Sequence, residues 1–217
     1  TSVKLVVEDS VYGIEVIVNV TASKNGRITV VAGGVSWETD VSANALTQIS
    51  LGILAADSYE VTASFSAGDN YEMSMDKGNI TVSPAEAKIT DVQTSDNVYG
   101  EDSVIKVRTD VCGTLIIQTS KGEKRVDVDA NILTSIDLGI LDAGFQNIEI
   151  ALNAGGNYTR PTANANLTVS PKATRTSVIV KDSIYGENVI VNVSATENGI
   201  IAVQIGDIVK YVDVEAN

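Results

Sequence analysis

The stretch VYGIEVIVNVTA, residues 11–22, decides the fold because the chain contains it in three versions. It returns as VYGEDSVIKVRT at 98–109 and as IYGENVIVNVSA at 184–195, so successive copies start 87 and 86 residues apart. A spacing that changes by one residue over three copies is typical of tandem structural repeats. The architecture of the whole chain can therefore be predicted from one repeat.

A second landmark keeps the same spacing and shows how far each repeat extends. The tetrapeptide LGIL begins at Leu51 and again at Leu138, and the third repeat stops before its own counterpart. The sequence therefore predicts domains at 1–87 and 88–173, and the N-terminal half of a third, incomplete domain at 174–217. We expect that half to belong to a longer repeat protein, or else to be completed by strands from another chain.

Within one repeat, apolar and polar residues alternate in short runs. Val16, Val18 and Val20 occupy alternate positions of the opening stretch, which predicts a strand with its valines pointing inward. Turn residues such as Asn25-Gly26, which accept positive φ, interrupt the alternation at short intervals. The pattern predicts an all-β chain of tandem immunoglobulin-like antiparallel β-sandwiches of about seven strands each.

Two predictions concern side chains in the later strands of the repeats. In the strand that contains LGIL, alternation predicts inward side chains for Ile53 and, in the second repeat, for Ile140. The next strand of the first repeat carries Tyr59, whereas the second repeat has Phe145 one position before the equivalent place. A tyrosine corner in the second repeat is therefore in question.

The composition excludes several classes of function. The 217-residue chain has a formal net charge of −13, which disfavours nucleic acid and anionic membranes as partners. No run approaches the roughly 20 apolar residues that cross a bilayer, so no membrane insertion is predicted for this segment. The one cysteine, Cys112, has no disulfide partner within the chain and is interpreted as a structural residue.

The chain also lacks the residue types on which many catalytic and metal sites depend. It contains no histidine, which excludes a Ser-His-Asp triad, a histidine base and a zinc-histidine site. Asp40, Asp127 and Asp213 recur in register, but alternation turns them outward as a solvated strand face. The acidic loops lack the closely spaced oxygen ligands that calcium prefers. We therefore predict no enzyme activity, no catalytic residue, no metal site and no cofactor.

The most informative chemical signal is a set of Asn-x-Ser/Thr sequons for N-glycosylation. Their asparagines are Asn19, Asn79, Asn157, Asn166 and Asn192. Asn19 and Asn192 are equivalent outward positions, and Asn79 and Asn166 are equivalent positions near the closing strand. Two interpretations stay open: solvated asparagines on strand faces, or glycosylation on an extracellular surface.

Two further features concern the arrangement of the repeats. The junctions 83–88 and 170–175 are short and each contains a proline, which favours a stiff rod over flexible beads. Ile17, Val104 and Ile190 share one register on the predicted outer face. Along a rod they could form a lateral contact stripe, or each could be covered by a neighbouring loop.

Several short motifs occur at equivalent places in the repeats. They are VYGxxVxVxV, LGIL followed by SYEVTASF, SAGDNY (66–71) with its counterpart NAGGNY (153–158), and a closing NITVSP or NLTVSP. Together they resemble the bacterial-type immunoglobulin-like repeats of adhesin-like surface proteins in methanogenic archaea and bacteria. The resemblance covers the whole chain and implies an extracellular location at the cell surface. It also implies partners of three kinds: neighbouring immunoglobulin-like domains of the same or identical chains, a cell wall, or another cell.

The sequence thus favours a non-enzymatic stalk or scaffold region of an adhesin-like protein. The alternative is a subunit of an extracellular filament that polymerises through strand complementation or lateral contacts. A carbohydrate-binding module is a weaker alternative, because the single tryptophan, Trp37, is replaced by Lys124 and Lys210 in the other repeats.

Overall fold

The computed structural model describes residues 1–216, and every regular element in that range is a β-strand. Twenty strands, β1 to β20, assemble into several sheets. Two groups of eight strands each pair a three-stranded sheet with a five-stranded one, in the manner of an immunoglobulin-like sandwich. The predicted all-β sandwich fold is therefore confirmed.

The first sandwich encloses a core made by the inward faces of both sheets. Its strands are β1 (Val3–Val6), β2 (Ser10–Val11), β3 (Val16–Ala22), β4 (Gly26–Ala32), β5 (Val35–Val41), β6 (Leu46–Gly52), β7 (Asp57–Ser66) and β8 (Ser74–Ser83). The sheet orders are β1-β3-β6 and β2-β8-β7-β4-β5. Val18 and Val20 are buried against a core that includes Phe65, as the alternation predicted.

The second sandwich repeats this plan. Its strands are β9 (Ile89–Thr94), β10 (Asn97–Val98), β11 (Ser103–Thr109), β12 (Gly113–Thr119), β13 (Gly122–Val128), β14 (Thr134–Gly139), β15 (Gly144–Asn153) and β16 (Thr162–Ser170). The sheets run β14-β11-β9 and β10-β16-β15-β12-β13, and they enclose a second, separate core.

Four further strands follow as two hairpin-like pairs. They are β17 (Thr176–Val180), β18 (Val191–Ala195), β19 (Gly199–Ile205) and β20 (Ile208–Val214), paired β17-β18 and β19-β20. Val191 and Val203 are only half-buried, and Val189 and Val212 are exposed. These residues line an open apolar groove of ≈ 540 Å³ between the two pairs.

One short strand in each sandwich was not predicted. Val11 of β2 pairs in parallel with Ser83 of β8, and Val98 of β10 pairs likewise with Ser170 of β16. The opening stretch 11–22 is therefore not one strand but the end of β2, a turn at Tyr12-Gly13, and β3. The turn depends on Gly13, whose φ of 91° lies in the region that glycine adopts without strain.

The change in repeat spacing from 87 to 86 has a structural cause. In β9 the pairing with β11 shifts between Arg108, which faces Asp91, and Thr109, which faces Ile89. Thr90 is the extra residue of this β-bulge, and its hydroxyl donates to the carbonyl oxygen of Arg108 at 3.2 Å. The corresponding pairs β1-β3 and β17-β18 are regular.

Gly26 serves a purpose other than the predicted one. It does not have positive φ; instead, a Cβ at this position would lie 2.2 Å from the carbonyl oxygen of Ser66. The residue before it closes the turn, because the Asn25 Oδ1 accepts from the backbone N–H of Ala43 at 2.7 Å. Asn25 and Gly26 therefore allow close approach of two loops rather than a left-handed turn.

Cys112 occupies the register of Asn25 in the second sandwich and makes a similar contact. Its Sγ accepts from the backbone N–H of Ala130 at 3.3 Å. Ala130 is the counterpart of Ala43, so the thiol substitutes for the amide oxygen as a weaker acceptor. The interaction fits the structural role predicted for the lone cysteine.

The prediction that Ile53 and Ile140 point inward was wrong. Their side chains are 62% and 49% exposed, whereas Leu141 is completely buried. The cause is the preceding glycine. Gly139 has a φ of 75°, which is outside the range of a β-strand, so the chain leaves the direction of the strand at this residue. Alternation therefore fails at that residue, and the leucine after Ile140 points inward instead.

The tyrosine corner is present in the first sandwich and is replaced in the second. The Tyr59 hydroxyl donates to the carbonyl oxygen of Ala55 at 2.9 Å. Gln146 stands in the register of Tyr59, and its Nε2 donates to the carbonyl oxygen of Asp142, the counterpart of Ala55, at 2.7 Å. The Gln146 Oε1 also accepts from the hydroxyl of Ser120 at 2.8 Å. A buried amide thus makes the bond that a phenol makes in the first sandwich.

Candidate functional site

The best-defined site on the chain is the joint between the first and second sandwiches. The linker runs along a turn of the second sandwich, where Ala85 forms an isolated parallel bridge with Tyr158. The Ala85 N–H donates to the carbonyl oxygen of Asn157, and the Thr159 N–H donates back to the carbonyl oxygen of Ala85, both at 2.9 Å. The Ala87 N–H adds a bond to the Thr159 hydroxyl at 3.0 Å. The linker is therefore tied to the domain that follows it.

The same turn also contacts the body of the first sandwich. The Asn157 Oδ1 accepts from the N–H of Ala56, in the loop after β6, at 2.8 Å, and this contact is partly buried. The rings of Tyr12 and Tyr158 meet edge to face, with 5.4 Å between centroids and an angle of 78° between planes. One turn thus engages two parts of the first sandwich, the Tyr-Gly corner and the loop after β6, and also the linker.

Local sequence explains the shape of this turn. NAGGNY places Gly155 at a φ of 86°, and the Tyr158 N–H donates to the Gly155 carbonyl oxygen at 3.3 Å. The glycine accepts the left-handed conformation that a side chain would resist, and the closed turn presents Asn157 and Tyr158 together.

This joint was not predicted from the sequence. NAGGNY served only as evidence for the fold, and Asn157 was interpreted as part of a sequon. The available signal was the presence of two recurring elements, the Tyr-Gly corner and the Asn-Tyr turn, in both complete repeats. Tyrosine is enriched at interfaces, so a repeated surface tyrosine is compatible with a contact between modules.

The five sequons differ in their surroundings. Asn79, Asn166 and Asn192 are exposed, whereas Asn19 and Asn157 are half-buried. The Asn19 Oδ1 accepts from the Gln48 side chain at 3.3 Å across neighbouring strands. Glycosylation at all five stays a prediction, and Asn157 is the one whose side chain bonds to another sandwich.

Two of the three residues of the predicted lateral stripe, Ile17 and Val104, lie on the outer side of the sandwiches, whereas Ile190 lines the open groove beside β18. Ile17 is 44% exposed, Val104 37% and Ile190 67%. Ile17 and Val104 are in β3 and β11, the central strands of the three-stranded sheets. Their role in lateral contact stays a prediction.

Several charged side chains of the described residues form exposed ion pairs or hydrogen bonds, some on strand faces and some in turns. Asp40 lies 3.6 Å from Arg27, and Asp127 accepts from the Thr114 hydroxyl at 2.7 Å. Lys172 lies 2.6 Å from Glu197, and this hydrogen bond, reinforced by the carboxylate charge, raises the pKa of Lys172. Between residues 1 and 216 no three His, Cys, Asp or Glu side chains form a group that could hold a metal ion.

Two other predictions concern membranes and sugars. Among the residues that the structure describes, no helix is long and apolar enough to cross a membrane. Trp37, the one tryptophan, is half-buried and packs against the first core. Part of its ring is therefore buried within the first sandwich.

Comparisons with known proteins show a likeness to solved structures. No family model matches the chain, and no curated protein matches it. The structure of a 1.5-MDa bacterial ice-binding adhesin, studied for retention at the host cell surface, is 17% identical with a TM-score of 0.35, covering 100% of this chain and 85% of that one. A two-domain fibronectin type III segment of chicken tenascin is 18% identical with a TM-score of 0.40, covering 76% and 98%. The fibronectin(III)-like modules of Clostridium thermocellum CbhA are 11% identical with a TM-score of 0.34, covering 78% and 94%. Values this low carry no argument about function, and the immunoglobulin-like fold rests on the sheets described above.

Proposed function

We propose that this segment is a non-enzymatic stalk or scaffold, built from immunoglobulin-like domains at 1–87 and 88–173 and the N-terminal half of a third at 174–217. Its task is to hold successive domains in a fixed orientation, and so to carry other parts of an extracellular, adhesin-like protein away from a cell surface. The domains themselves are its first partners; a cell wall or another cell is the partner at a distance.

The joint is the single observation that carries this proposal. A flexible linker would leave neighbouring domains free to rotate, whereas here one turn contacts two parts of the preceding sandwich and the linker. Backbone hydrogen bonds between Ala85 of the linker and Asn157 and Thr159 restrict its conformational freedom further. Such a joint supports a spacer function.

A distance measurement across the joint tests the orientation directly. Spin labels on the native, exposed Cys112 and on a Ser36→Cys variant lie in different sandwiches, with Ser36 on the exposed edge strand β5. We expect one narrow distance distribution for the labelled protein and a broad one after Tyr158→Ala. Tyr71→Ala is the matched control, because Tyr71 stands in the equivalent turn of the first sandwich and is outside the joint. A broad distribution in the unmodified protein would refute the rigid stalk.

The cellular part of the proposal needs native material. Electron microscopy with antibodies raised against this segment should label rods that project from a cell surface. Mass spectrometry of the same material tests whether the exposed Asn79, Asn166 and Asn192 carry glycans. Label confined to the cytoplasm would contradict the proposed location.

A filament subunit is the second candidate, and the open groove between β17–β18 and β19–β20 favours it. Val191, Val203 and Ile205 line this groove, and strands of another chain could cover them. Ile17, Val104 and Ile190 are the alternative sites for lateral contact. Regular polymers in micrographs of native material would favour this candidate over isolated rods.

A further inference from the structure

The turn at the joint between the two sandwiches is also a sequon, and the two residues that define the sequon both hold the joint. The Asn157 Oδ1 accepts from the Ala56 N–H at 2.8 Å. The Thr159 hydroxyl accepts from the Ala87 N–H at 3.0 Å, and the Thr159 N–H donates to the carbonyl oxygen of Ala85 at 2.9 Å. The groups that a glycosylating enzyme would use are therefore engaged in contacts with the first sandwich and the linker.

We infer that N-glycosylation of Asn157 and closure of this joint exclude each other. The inference rests on the proposed stalk, because it takes the closed joint as the folded state, and it concerns how that joint is kept or lost. It distinguishes Asn157 from Asn79, Asn166 and Asn192, which are exposed residues of strands.

The chemistry of glycan transfer places the sugar inside the contact. The donor is an oligosaccharide carried on a lipid diphosphate. The Asn157 Nδ2 forms a bond to C1 of the first sugar, the C1–O bond to the lipid diphosphate breaks, and one Nδ2 proton is released to solvent. Nδ2 and Oδ1 share one planar amide, so the sugar is attached beside the atom that accepts from Ala56. That contact is partly buried, and a bulky, hydrophilic glycan belongs at a solvated surface.

The closed joint also prevents an enzyme from binding the acceptor segment. A transferase has to bind the Asn amide and the Thr hydroxyl of one accessible segment. Here the Thr159 hydroxyl is bonded to Ala87, and the turn is closed by the bond from the Tyr158 N–H to the carbonyl oxygen of Gly155. These bonds must open before transfer. The rate of modification therefore follows the fraction of molecules in which the joint is open.

An attached glycan acts in the opposite direction and keeps the joint open. Asn157 belongs to neither core, so both sandwiches stay folded when it is modified. What is lost is the contact with Ala56 and, with it, the position of the Tyr158 ring against Tyr12. The order of events decides the outcome: docking before transfer gives an unmodified, rigid joint, and transfer before docking gives a flexible one.

The equivalent turn of the first sandwich provides a matched comparison. Asn70, Tyr71 and Glu72 stand in register with the sequon, and the Tyr71 N–H closes the turn on the carbonyl oxygen of Gly68 at 3.1 Å. Asn70 is exposed in this chain, whereas Asn157 is half-buried. Glu72→Thr therefore creates a second sequon with the same central tyrosine, in a turn of the same form that is not part of this joint.

Glycan transfer to the folded Glu72→Thr protein tests the inference. The purified protein is incubated with an oligosaccharyltransferase and a lipid-linked oligosaccharide, and mass spectrometry of proteolytic peptides follows the occupancy of each asparagine over time. We expect Asn70 to be modified at least about 10-fold faster than Asn157, because several hydrogen bonds must open at Asn157 first. A synthetic peptide of residues 153–163 should be modified readily, since its sequon is outside any joint.

Tyr12→Ala weakens the joint without changing the sequon. Loss of the ring pair should raise the rate at Asn157 by roughly 2- to 12-fold and leave the rate at Asn70 unchanged. Tyr185→Ala is the matched control, because Tyr185 has the register of Tyr12 in the third repeat and lies outside this joint. An unchanged rate at Asn19 shows that the first sandwich of the variant has not unfolded.

The outcomes separate this inference from the proposed stalk. Equal rates at Asn70 and Asn157, or a peptide that is not modified, would overturn the exclusion. Equal rates together with a narrow spin-label distance distribution would leave the stalk intact, whereas equal rates with a broad distribution would refute the closed joint itself. A narrow distribution that persists in molecules glycosylated at Asn157 would also overturn the inference.

Discussion

The edge-to-face pair of Tyr12 and Tyr158 predicts a measurable coupling between the two sandwiches. Centroids 5.4 Å apart at an angle of 78° are within the preferred geometry, in which a pair contributes about 0.5–1.5 kcal/mol beyond its burial. The rings belong to different sandwiches, so this contribution exists only when both are folded. Tyr12→Ala also loses packing against the first core, and its single effect therefore overstates the value of the pair.

A double-mutant cycle isolates the pair. Urea unfolding of the unmodified protein, both single alanine variants and the double variant should give an interaction energy of about 0.5–1.5 kcal/mol. A second cycle with Tyr12 and Tyr71 is the control. Tyr12 lies just before β3, and Lys24 lies just after it. The Lys24 Nζ is 5.8 Å from the centroid of the Tyr71 ring, so Tyr71 lies at the end of the sandwich opposite to Tyr12. The effects of Tyr12→Ala and Tyr71→Ala on the free energy of unfolding should therefore add to within about 0.3–0.5 kcal/mol. An equally small value for Tyr12 with Tyr158 would refute an energetic role for the joint.

Three further predictions concern stability and are checked by urea unfolding. Gly26→Ala should lower the free energy of unfolding by about 1–3 kcal/mol or more, because the new Cβ would lie 2.2 Å from a backbone oxygen. Gly199→Ala is the control and should be tolerated, because a Cβ at that position would have nothing within 4 Å. Gln146→Ala should cost about 1–3 kcal/mol, since it leaves a hydroxyl and a carbonyl of the second sandwich without their partner; a neutral result would show that water replaces the amide. Leu141→Ala should cost about 2–5 kcal/mol and Ile140→Ala within about 0.5 kcal/mol, and equal costs would contradict the assignment of Leu141 to the core.

The core was predictable wherever the backbone stayed in regular strand geometry. Val16, Val18 and Val20 are buried because side chains of a strand alternate between two faces, and the sequence shows that alternation directly. The rule fails at Gly52 and Gly139, whose φ values are 78° and 75°. A glycine can continue a strand or leave it, and its identity alone does not say which it does.

The candidate site was less predictable, because its parts come together only in the folded chain. Ala56 meets Asn157 across 101 positions of sequence, and neither residue is unusual by itself. Asn157 belongs to a sequon, for which glycosylation and a solvated asparagine were both open interpretations, and Tyr12 is simply part of the repeated opening stretch. The same limit applies to Gln146, which a search for a tyrosine corner overlooks although the amide makes the equivalent bond.

The β-bulge at Thr90 shows how the core keeps its register although the repeat spacing changes by one residue. β9 is an edge strand with β11 as its one neighbour in the sheet, so the extra residue disturbs a single ladder. An extra residue in β11, which is paired on both sides, would turn Ile105 and Val107 out of the core. Length variation is therefore compatible with the core at edges such as β9, and a repeat with an insertion in its central strand should lose the pairing of that core.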